Sequence, residues 1–232
     1  MRKFEHVEVD LGYSDLTTVN ENNQRRYSTP NGAAYPSITT VLSILKEKEL
    51  FEWRKRVGEA EANRISSHAS KRGTAVHSII EDYLNNETID EKKYMPHIRE
   101  NFLQIKDILD NRIGKIYAQE KKLYSDHLRV AGTVDCIAEF DGKLSVIDFK
   151  TSRRVKEKSK IETYFMQETA YAIMWEERTQ IPITQLITLI VVDEHPTQVY
   201  IEHRDNWSDD LIETIQKFES RQARQQWQKS RK

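Results

Sequence analysis

The chain has 232 residues, of which 31% are charged and 38% hydrophobic, and its formal net charge is -1 at pH 7. This length suits one domain with a substantial core, and the composition argues against a membrane protein, because no apolar run approaches the roughly 20 residues of a transmembrane helix. A chain this close to neutral has no overall positive field, so any surface that binds a nucleic acid must be basic only locally.

Cys136 is the single cysteine, which excludes an internal disulfide framework and a cysteine-rich zinc site. Its position inside an apolar run predicts a small core residue and not a nucleophile. The first ten residues carry neither the apolar core of a signal peptide nor the acid-poor composition of a transit peptide. We therefore expect a cytoplasmic protein.

The first part of the chain predicts a small hairpin and then a short helix. Thr29-Pro30-Asn31-Gly32 is a turn signal between the segments 25–27 and 34–35. Ser37 precedes apolar residues at helical spacing, which predicts a helix with Ser37 as its N-cap.

A second helical stretch covers residues 50–67. It places Trp53 among basic residues that include Arg54. This pattern suits a nucleic-acid groove, in which basic side chains follow the backbone and rings stack on bases. It suits equally well a core tryptophan beside a solvated charged face.

A third helical stretch covers residues 71–84 and begins at Gly73-Thr74. It carries a broad apolar stripe with His77 on its flank. A lone histidine in such a position is usually a core residue. Lys71 and Arg72 come just before this helix and are candidates for contacts with phosphate.

A helix over 91–109 is typical of packing, and a strand over 115–124 follows it. Alternation along the strand turns Glu120 inward among small apolar neighbours. Glu120 is therefore a candidate extra acid, or a glutamate at the rim that pairs with a neighbouring lysine.

Residues 131–152 predict a β-hairpin with acidic side chains, because two apolar runs meet at Asp141-Gly142. Alternation on the second strand puts Asp148 and Lys150 on one face. Asp135 lies on the first strand, and we expect it a few residues past the point opposite Asp148 unless a bulge, for example at Gly132, shifts the register.

Two carboxylates on rigid strands suit a hard divalent cation, since magnesium takes one or two protein carboxylates and keeps water and phosphate as its other ligands. A lysine two residues after the second acid adds positive charge at a phosphate or orients the attacking water. These parts fit phosphodiester hydrolysis. The alternative is an exposed hairpin whose charged side chains are merely solvated.

After the hairpin, a basic segment over 153–160 suits either a loop that guides a nucleic-acid backbone or a solvated loop. A helix over 161–177 places Gln167 and Tyr171 four residues apart on one face, toward the acidic hairpin. The rest of the chain predicts two strands and an amphipathic helix, over 184–192, 198–203 and 211–228.

Four motifs in this order resemble one known family, the RecB-type branch of the PD-(D/E)xK nuclease superfamily, and within it the small exonucleases of bacteriophages and the mitochondrial genome maintenance exonuclease. The chain has Val134 where the superfamily name implies proline. The motifs are Gly73-Thr74-Xaa-Xaa-His77, Gly132-Xaa-Xaa-Asp135, Ile147-Asp148-Phe149-Lys150-Thr151 and Gln167-Xaa-Xaa-Xaa-Tyr171.

The resemblance implies an α/β fold with an αβββαβ nuclease core, a central mixed sheet flanked by helices, and an N-terminal helical cap or arch. We expect one nuclease domain over 1–232. Its parts would be an N-terminal hairpin and helical cap over 1–66, the catalytic core over 67–205, and a C-terminal helix with a basic tail over 206–232.

The resemblance also implies a divalent-metal-dependent DNA exonuclease that acts on single-stranded or end-bearing DNA, with Mg²⁺ as cofactor and Mn²⁺ as a substitute. The expected metal ligands are His77, Asp135, Asp148 and the main-chain carbonyl of Phe149. Asp135, Asp148, Lys150 and Glu120 would be catalytic. The expected substrate-binding residues are Gln167, Tyr171, Ser37, Thr39, Thr40, Arg54, Lys71, Arg72 and Thr151.

Two other functions stay open, a catalytically inactive DNA-binding protein with this fold and a site-specific endonuclease. The expected partners are DNA and phage recombination proteins, in the bacterial host cytoplasm if a phage encodes the chain.

Overall fold

The computed structural model describes residues 3–21 and 24–231. The strands of this part are β1 (Thr17–Glu21), β2 (Gln24–Ser28), β3 (Ala34–Pro36), β4 (Ile113–Ser125), β5 (Val130–Phe140), β6 (Lys143–Ser152), β7 (Gln185–Val192) and β8 (Gln198–His203). Its α-helices are α1 (Ile38–Leu42), α2 (Glu47–Val57), α3 (Glu59–Leu84), α4 (Pro96–Arg112), α5 (Glu162–Thr179) and α6 (Ser208–Lys229). None of these helices is both long and apolar enough to cross a membrane.

The central sheet has the strand order β4-β5-β6-β7-β8. β6 and β7 run parallel, and every other neighbouring pair is antiparallel. The parallel pair is joined by the crossover helix α5, as parallel strands require. The expected mixed sheet flanked by helices is therefore confirmed.

Each face of this sheet carries its own core. α3 and α4 cover one face, where they bury Cys136, Ile147 and Phe149. α1, α5 and α6 cover the other, where Val146 is buried. Cys136 is fully buried, which agrees with its expected place in the core. Because Ile147 and Phe149 face α3, Asp148 between them is directed toward α5.

The β5–β6 hairpin turns at Asp141 and Gly142, as predicted. Both residues have positive φ, 52° and 76°, which is the backbone of a two-residue hairpin turn. The pairing runs from Phe140 with Lys143 to Cys136 with Ile147. If this register is continued by one residue on each strand, Asp135 lies opposite Asp148. The expected offset between these two acids was therefore wrong, and no bulge at Gly132 is needed.

The helices before the sheet differ from the prediction in their boundaries. The predicted stretch 50–67 is divided at Gly58, which lies between α2 and α3. α3 is continuous over 26 residues, and Gly73 lies inside it and not at its start. A glycine inside a helix costs only about 1 kcal/mol relative to alanine, so good helix formers on both sides outweigh it. α4 begins at Pro96, in the first turn where proline needs no hydrogen-bond partner for its nitrogen.

The N-terminal part contains a small antiparallel sheet, β1-β2-β3, and the short helix α1. The predicted hairpin is β2 with β3, whereas β1 was not predicted because its sequence is polar. Ser37 accepts a hydrogen bond from the Thr40 N–H, which confirms it as the N-cap of α1. A bridge between Ser37 and Ala131 places α1 against β5. The division into one nuclease domain with three parts stays a prediction.

Gly132 and Gly73 give opposite predictions for substitution by alanine. A Cβ at Gly132 would lie 2.7 Å from Cε1 and 2.9 Å from the hydroxyl of Tyr171. We expect Gly132→Ala to lower the free energy of unfolding by about 1–3 kcal/mol. A Cβ at Gly73 meets nothing within 4 Å. Gly73→Ala should raise the same quantity by about 0.5–1 kcal/mol. Urea denaturation measures both, and a fully stable Gly132→Ala would contradict the close packing.

Candidate active site

The polar site lies where β5 and β6 stop pairing. The last main-chain pair of the hairpin is Cys136 with Ile147. Two residues beyond Ile147, the main-chain N–H of Phe149 donates a hydrogen bond to the Asp135 carboxylate at 2.9 Å, and not to a main-chain carbonyl of β5. Val134 and Cys136 belong to the cores on opposite faces of the sheet, so the strand turns over at Asp135. Asp135 is thereby held at a gap between the two strands.

His77 reaches this gap from α3. Val76, Ile79 and Ile80 bury the neighbouring face of the helix and so fix its position. Nε2 of His77 lies 2.6 Å from the Phe149 carbonyl oxygen. Nδ1 lies 3.7 Å from Oδ1 of Asp135 and 3.8 Å from Oε1 of Glu120.

The charge of His77 is set by opposing effects. Burial lowers the pKa of His77, but Glu120 and Asp135 outweigh it and raise that pKa to about 9. Without a metal ion the imidazole is therefore protonated at neutral pH, and both ring nitrogens act as donors. A metal ion that binds here must displace a proton.

Glu120 lies on β4, and its surroundings differ from the prediction. The residue is exposed and is not enclosed by small apolar neighbours, so the expectation that it lies inward was wrong. Its φ of 44° falls in the left-handed region, which a glutamate rarely adopts. Strained residues of this kind concentrate at functional sites. Here the strained backbone accompanies a carboxylate that is directed toward His77.

His77, Glu120 and Asp135 form a donor set suited to a metal ion. One ligand atom from each lies within 4.8 Å of the others. One imidazole nitrogen with two carboxylates suits magnesium or manganese. The Phe149 carbonyl beside His77 offers a further oxygen. Among the described residues, Glu120 and not Asp148 completes this group of three.

Asp148 is paired with Lys150. Lys150 Nζ lies 2.6 Å from Oδ1 of Asp148 and forms an ion pair with Oδ2 as well. Burial raises the pKa of Asp148 to about 6, although the ammonium of Lys150 acts in the opposite direction. Burial lowers the pKa of Lys150, but Asp148 and Asp135 outweigh it, so the net shift is upward. Lys150 is therefore a fixed positive charge at neutral pH.

Gln167 and Tyr171 of α5 lie behind this pair, as their spacing predicted. Both residues are buried. Nε2 of Gln167 lies 3.3 Å from Oδ1 of Asp148 and 3.3 Å from the Tyr171 hydroxyl. Gln167 thus orients the carboxylate to which Lys150 is bound.

Glu168 was missed by the sequence analysis. It is fully buried, and its carboxyl accepts a hydrogen bond from Thr188, which neighbours Asp148 across the β6–β7 ladder. Burial, followed by the charge of Asp148, raises the pKa of Glu168 well above its usual range. The available signal was that Glu168 is the only charged residue of the segment 164–175.

The other expected substrate-binding residues lie in several places. Ser37 is buried, and its hydroxyl contacts that of Thr39 at 2.6 Å, whereas Thr40 is half-buried. Thr151 follows Lys150 on β6 and is half-buried. Lys71 is exposed.

The two expected arginines are engaged within the protein. Arg54 binds Glu59 and Asn63. Arg72 donates to Asp193 at 2.8 Å and to Asn101 at 3.0 Å, and so joins α3 to the β7–β8 turn. The sequence analysis did not include these structural roles. Contact of either arginine with a substrate stays a prediction.

The family model described as the PD-(D/E)XK nuclease superfamily matches residues 90–230 of this chain. The chain belongs to this superfamily. The resemblance stated from the motifs is thereby confirmed. His77 precedes the matched region, which contains Glu120, Asp135, Asp148, Lys150, Gln167 and Tyr171.

Three curated relatives carry the name mitochondrial genome maintenance exonuclease 1. The human protein is 26% identical over 129 residues, which cover 52% of this chain and 38% of the human protein. The mouse protein is 29% identical with the same two shares, and the Xenopus tropicalis protein is 30% identical over 52% of this chain and 37% of its own length. The match thus spans well under half of each relative.

The strained backbone of Glu120 predicts a trade between stability and metal binding. Glu120→Gly removes the penalty of positive φ and should raise the free energy of unfolding by up to about 1 kcal/mol, while it weakens Mn²⁺ binding. Glu120→Gln keeps the strained backbone, so it should weaken Mn²⁺ binding without raising the free energy of unfolding. Urea denaturation and calorimetric titration with Mn²⁺ measure the two effects. Unchanged Mn²⁺ affinity in both variants would remove Glu120 from the metal site.

The buried carboxyl of Glu168 predicts a loss of stability at high pH. Its raised pKa means that the folded protein keeps a proton that the unfolded chain releases above about 4.5. Stability should therefore fall as pH rises from that value through the raised pKa. Glu168→Gln lacks this titration and should be at least as stable as wild type at pH 8, whereas Glu168→Ala should be about 2–3 kcal/mol less stable than Glu168→Gln at any pH. Thermal melts from pH 5 to 8 test this, and a Gln variant as unstable as the Ala variant would show that Glu168 is ionised.

Proposed function

We propose that this protein is a divalent-metal-dependent DNA exonuclease that hydrolyses phosphodiester bonds in single-stranded or end-bearing DNA. The observation that carries the proposal is the meeting of Asp135, Asp148, Lys150 and His77 at one gap of a nuclease-superfamily sheet. The names of the curated relatives support action at DNA ends.

His77, Glu120, Asp135 and the Phe149 carbonyl would hold Mg²⁺, or Mn²⁺ in its place, with Asp148 at the edge of the group. When bound, such an ion polarises a phosphate oxygen and lowers the pKa of a coordinated water. The donor set of one nitrogen and several oxygens fits both metals.

The protein's own residues prepare the site for an anionic substrate. Lys150 is protonated and is oriented by Asp148, so its ammonium stabilises negative charge that develops on the phosphate. Gln167 keeps the Asp148 carboxylate in place. The raised pKa of Glu168 favours its neutral form. A neutral Glu168 adds no negative charge behind Asp148, whereas an ionised Glu168 would repel the anionic substrate.

The biological setting is also a proposal. The resemblance to small bacteriophage exonucleases supports a role in phage-type DNA recombination, repair or degradation, with phage recombination proteins as partners. We place this activity in the cytoplasm, that of the bacterial host if a phage encodes the chain.

The test uses single-stranded DNA labelled at the 5′ or the 3′ end, with each end free or blocked, in Mg²⁺, Mn²⁺ or chelator. We expect metal-dependent shortening from a free end, which also gives the polarity. Asp148→Asn and Lys150→Met should each reduce the rate at least about 100-fold. Lys143→Met alters an exposed lysine at the other end of β6 and should leave the rate unchanged.

Three results would contradict the proposal. Equal rates for wild type and Lys150→Met would end the catalytic assignment. DNA binding without hydrolysis by wild type would favour the inactive binding protein. Cleavage of circular DNA as fast as linear DNA would favour the endonuclease.

A further inference from the structure

The ring of Tyr164 has two ammonium groups close to it. Lys150 Nζ lies 5.1 Å from the ring centroid, and Lys46 Nζ lies 5.4 Å from it. The two ammonium groups are therefore no more than about 10.5 Å apart, the sum of these distances. Tyr164 is in the first turn of α5, whereas Lys46 directly precedes α2. The N-terminal part of the chain thus contributes a positive charge next to the site.

The two lysines differ in how their charge is compensated. Lys150 is paired with Asp148. Lys46 is exposed, and its ammonium donates one hydrogen bond within the described residues, a long one of 3.4 Å to the Lys160 carbonyl oxygen. In the described part of the chain, no carboxylate lies within ion-pair distance of the Lys46 ammonium. Lys46 is available to an external anion.

Charged groups of two elements, α2 and the loop after β6, act on Lys46. Partial burial lowers the pKa of Lys46, Glu49 of α2 acts in the opposite direction, and Lys156 of the loop after β6 lowers this pKa further. The nearby segment 153–160 is exposed except for Lys156, and its other basic residues extend the positive charge. A nearly neutral protein needs such a local basic surface to bind nucleic acid.

The position of Lys46 is also fixed by the fold. A 3-10 helical turn, Ser43–Leu45, joins α1 to Lys46. The next residue, Glu47, forms an ion pair with Arg221 of α6 at 2.5 Å. This contact joins the start of α2 to α6 and gives Arg221 of the basic tail a structural role.

We propose that Lys46 binds a DNA phosphate within about three nucleotides of the scissile one, and that Tyr164 is a positioning residue that sets the distance between Lys46 and Lys150. The inference rests on the proposed function, since Lys150 marks the scissile phosphate. Along the axis of a duplex, each strand advances about 3.4 Å per nucleotide. The separation of the two ammonium groups therefore places the second phosphate within about three nucleotides of the first.

The first experiment measures binding without turnover. A fluorescein-labelled 12-nucleotide single strand is titrated in chelator at several NaCl concentrations, with fluorescence anisotropy as the signal. Lys46→Met should weaken binding about tenfold and reduce the slope of log affinity against log salt by about 0.7, because one phosphate contact is lost. Lys46→Arg should restore the slope. Lys48→Met, which changes an exposed lysine in the first turn of α2, should leave it unchanged.

The second experiment locates the phosphate. Strands with one uncharged methylphosphonate linkage, moved stepwise from the scissile position, are hydrolysed with Mg²⁺. Lys46→Met should raise KM about tenfold with kcat unchanged on most of these strands. On the strand whose neutral linkage occupies the Lys46 contact, wild type and Lys46→Met should have the same KM. Tyr164→Phe keeps the ring and should resemble wild type, whereas Tyr164→Ala should raise KM. Melting temperatures check that the variants are folded.

The outcomes separate this inference from the proposed function. If wild type hydrolyses DNA but Lys46→Met and Lys48→Met share its salt slope and KM, the Lys46 assignment is overturned and the nuclease assignment stands. If wild type neither binds nor hydrolyses DNA, both are overturned. If Lys46→Met loses kcat with unchanged KM, Lys46 does not act as a binding residue for a neighbouring phosphate.

Discussion

The site depends on the compensation of negative charge at the point where β5 and β6 separate. Asp135 and Asp148 lie directly beyond the last pair of the ladder, Cys136 with Ile147, and Glu120 lies close to Asp135. Three carboxylates in a partly buried gap repel one another unless cations accompany them. In the absence of a metal ion, protonated His77 and Lys150 supply those charges, and the pKa of His77 is accordingly raised to about 9. A divalent ion would take over the part played by the proton on His77.

The topology of the sheet brings these groups together from distant parts of the chain. The hairpin supplies both aspartates, α3 supplies His77, and the crossover helix α5 supplies Gln167. Because β6 and β7 are parallel, α5 must cross the face on which Asp148 lies. The same crossover brings Glu168 behind Asp148 and Tyr164 beside Lys150. The N-terminal part then adds Lys46 near the same ring.

Local patterns made much of this predictable. The Asp-Gly turn, the alternation around Asp148 and the spacing of Gln167 and Tyr171 each depend on a few neighbouring residues, and the structure agrees with them. What the sequence did not reveal depends on tertiary contacts. The pairing of Arg72 with Asp193 joins residues 121 apart, and Lys46 approaches Tyr164 from another element. The burial of Glu168 follows from packing on α5, which no local pattern specifies.

The most direct test of this account is the position of a bound metal ion. Crystals soaked in Mn²⁺ would be measured at a wavelength at which manganese scatters anomalously. We predict an anomalous peak within coordination distance of His77 and Asp135, about 2.0–2.3 Å, with Glu120 or the Phe149 carbonyl as a further ligand. A peak elsewhere, or none at this gap while Mn²⁺ supports DNA hydrolysis in solution, would contradict it.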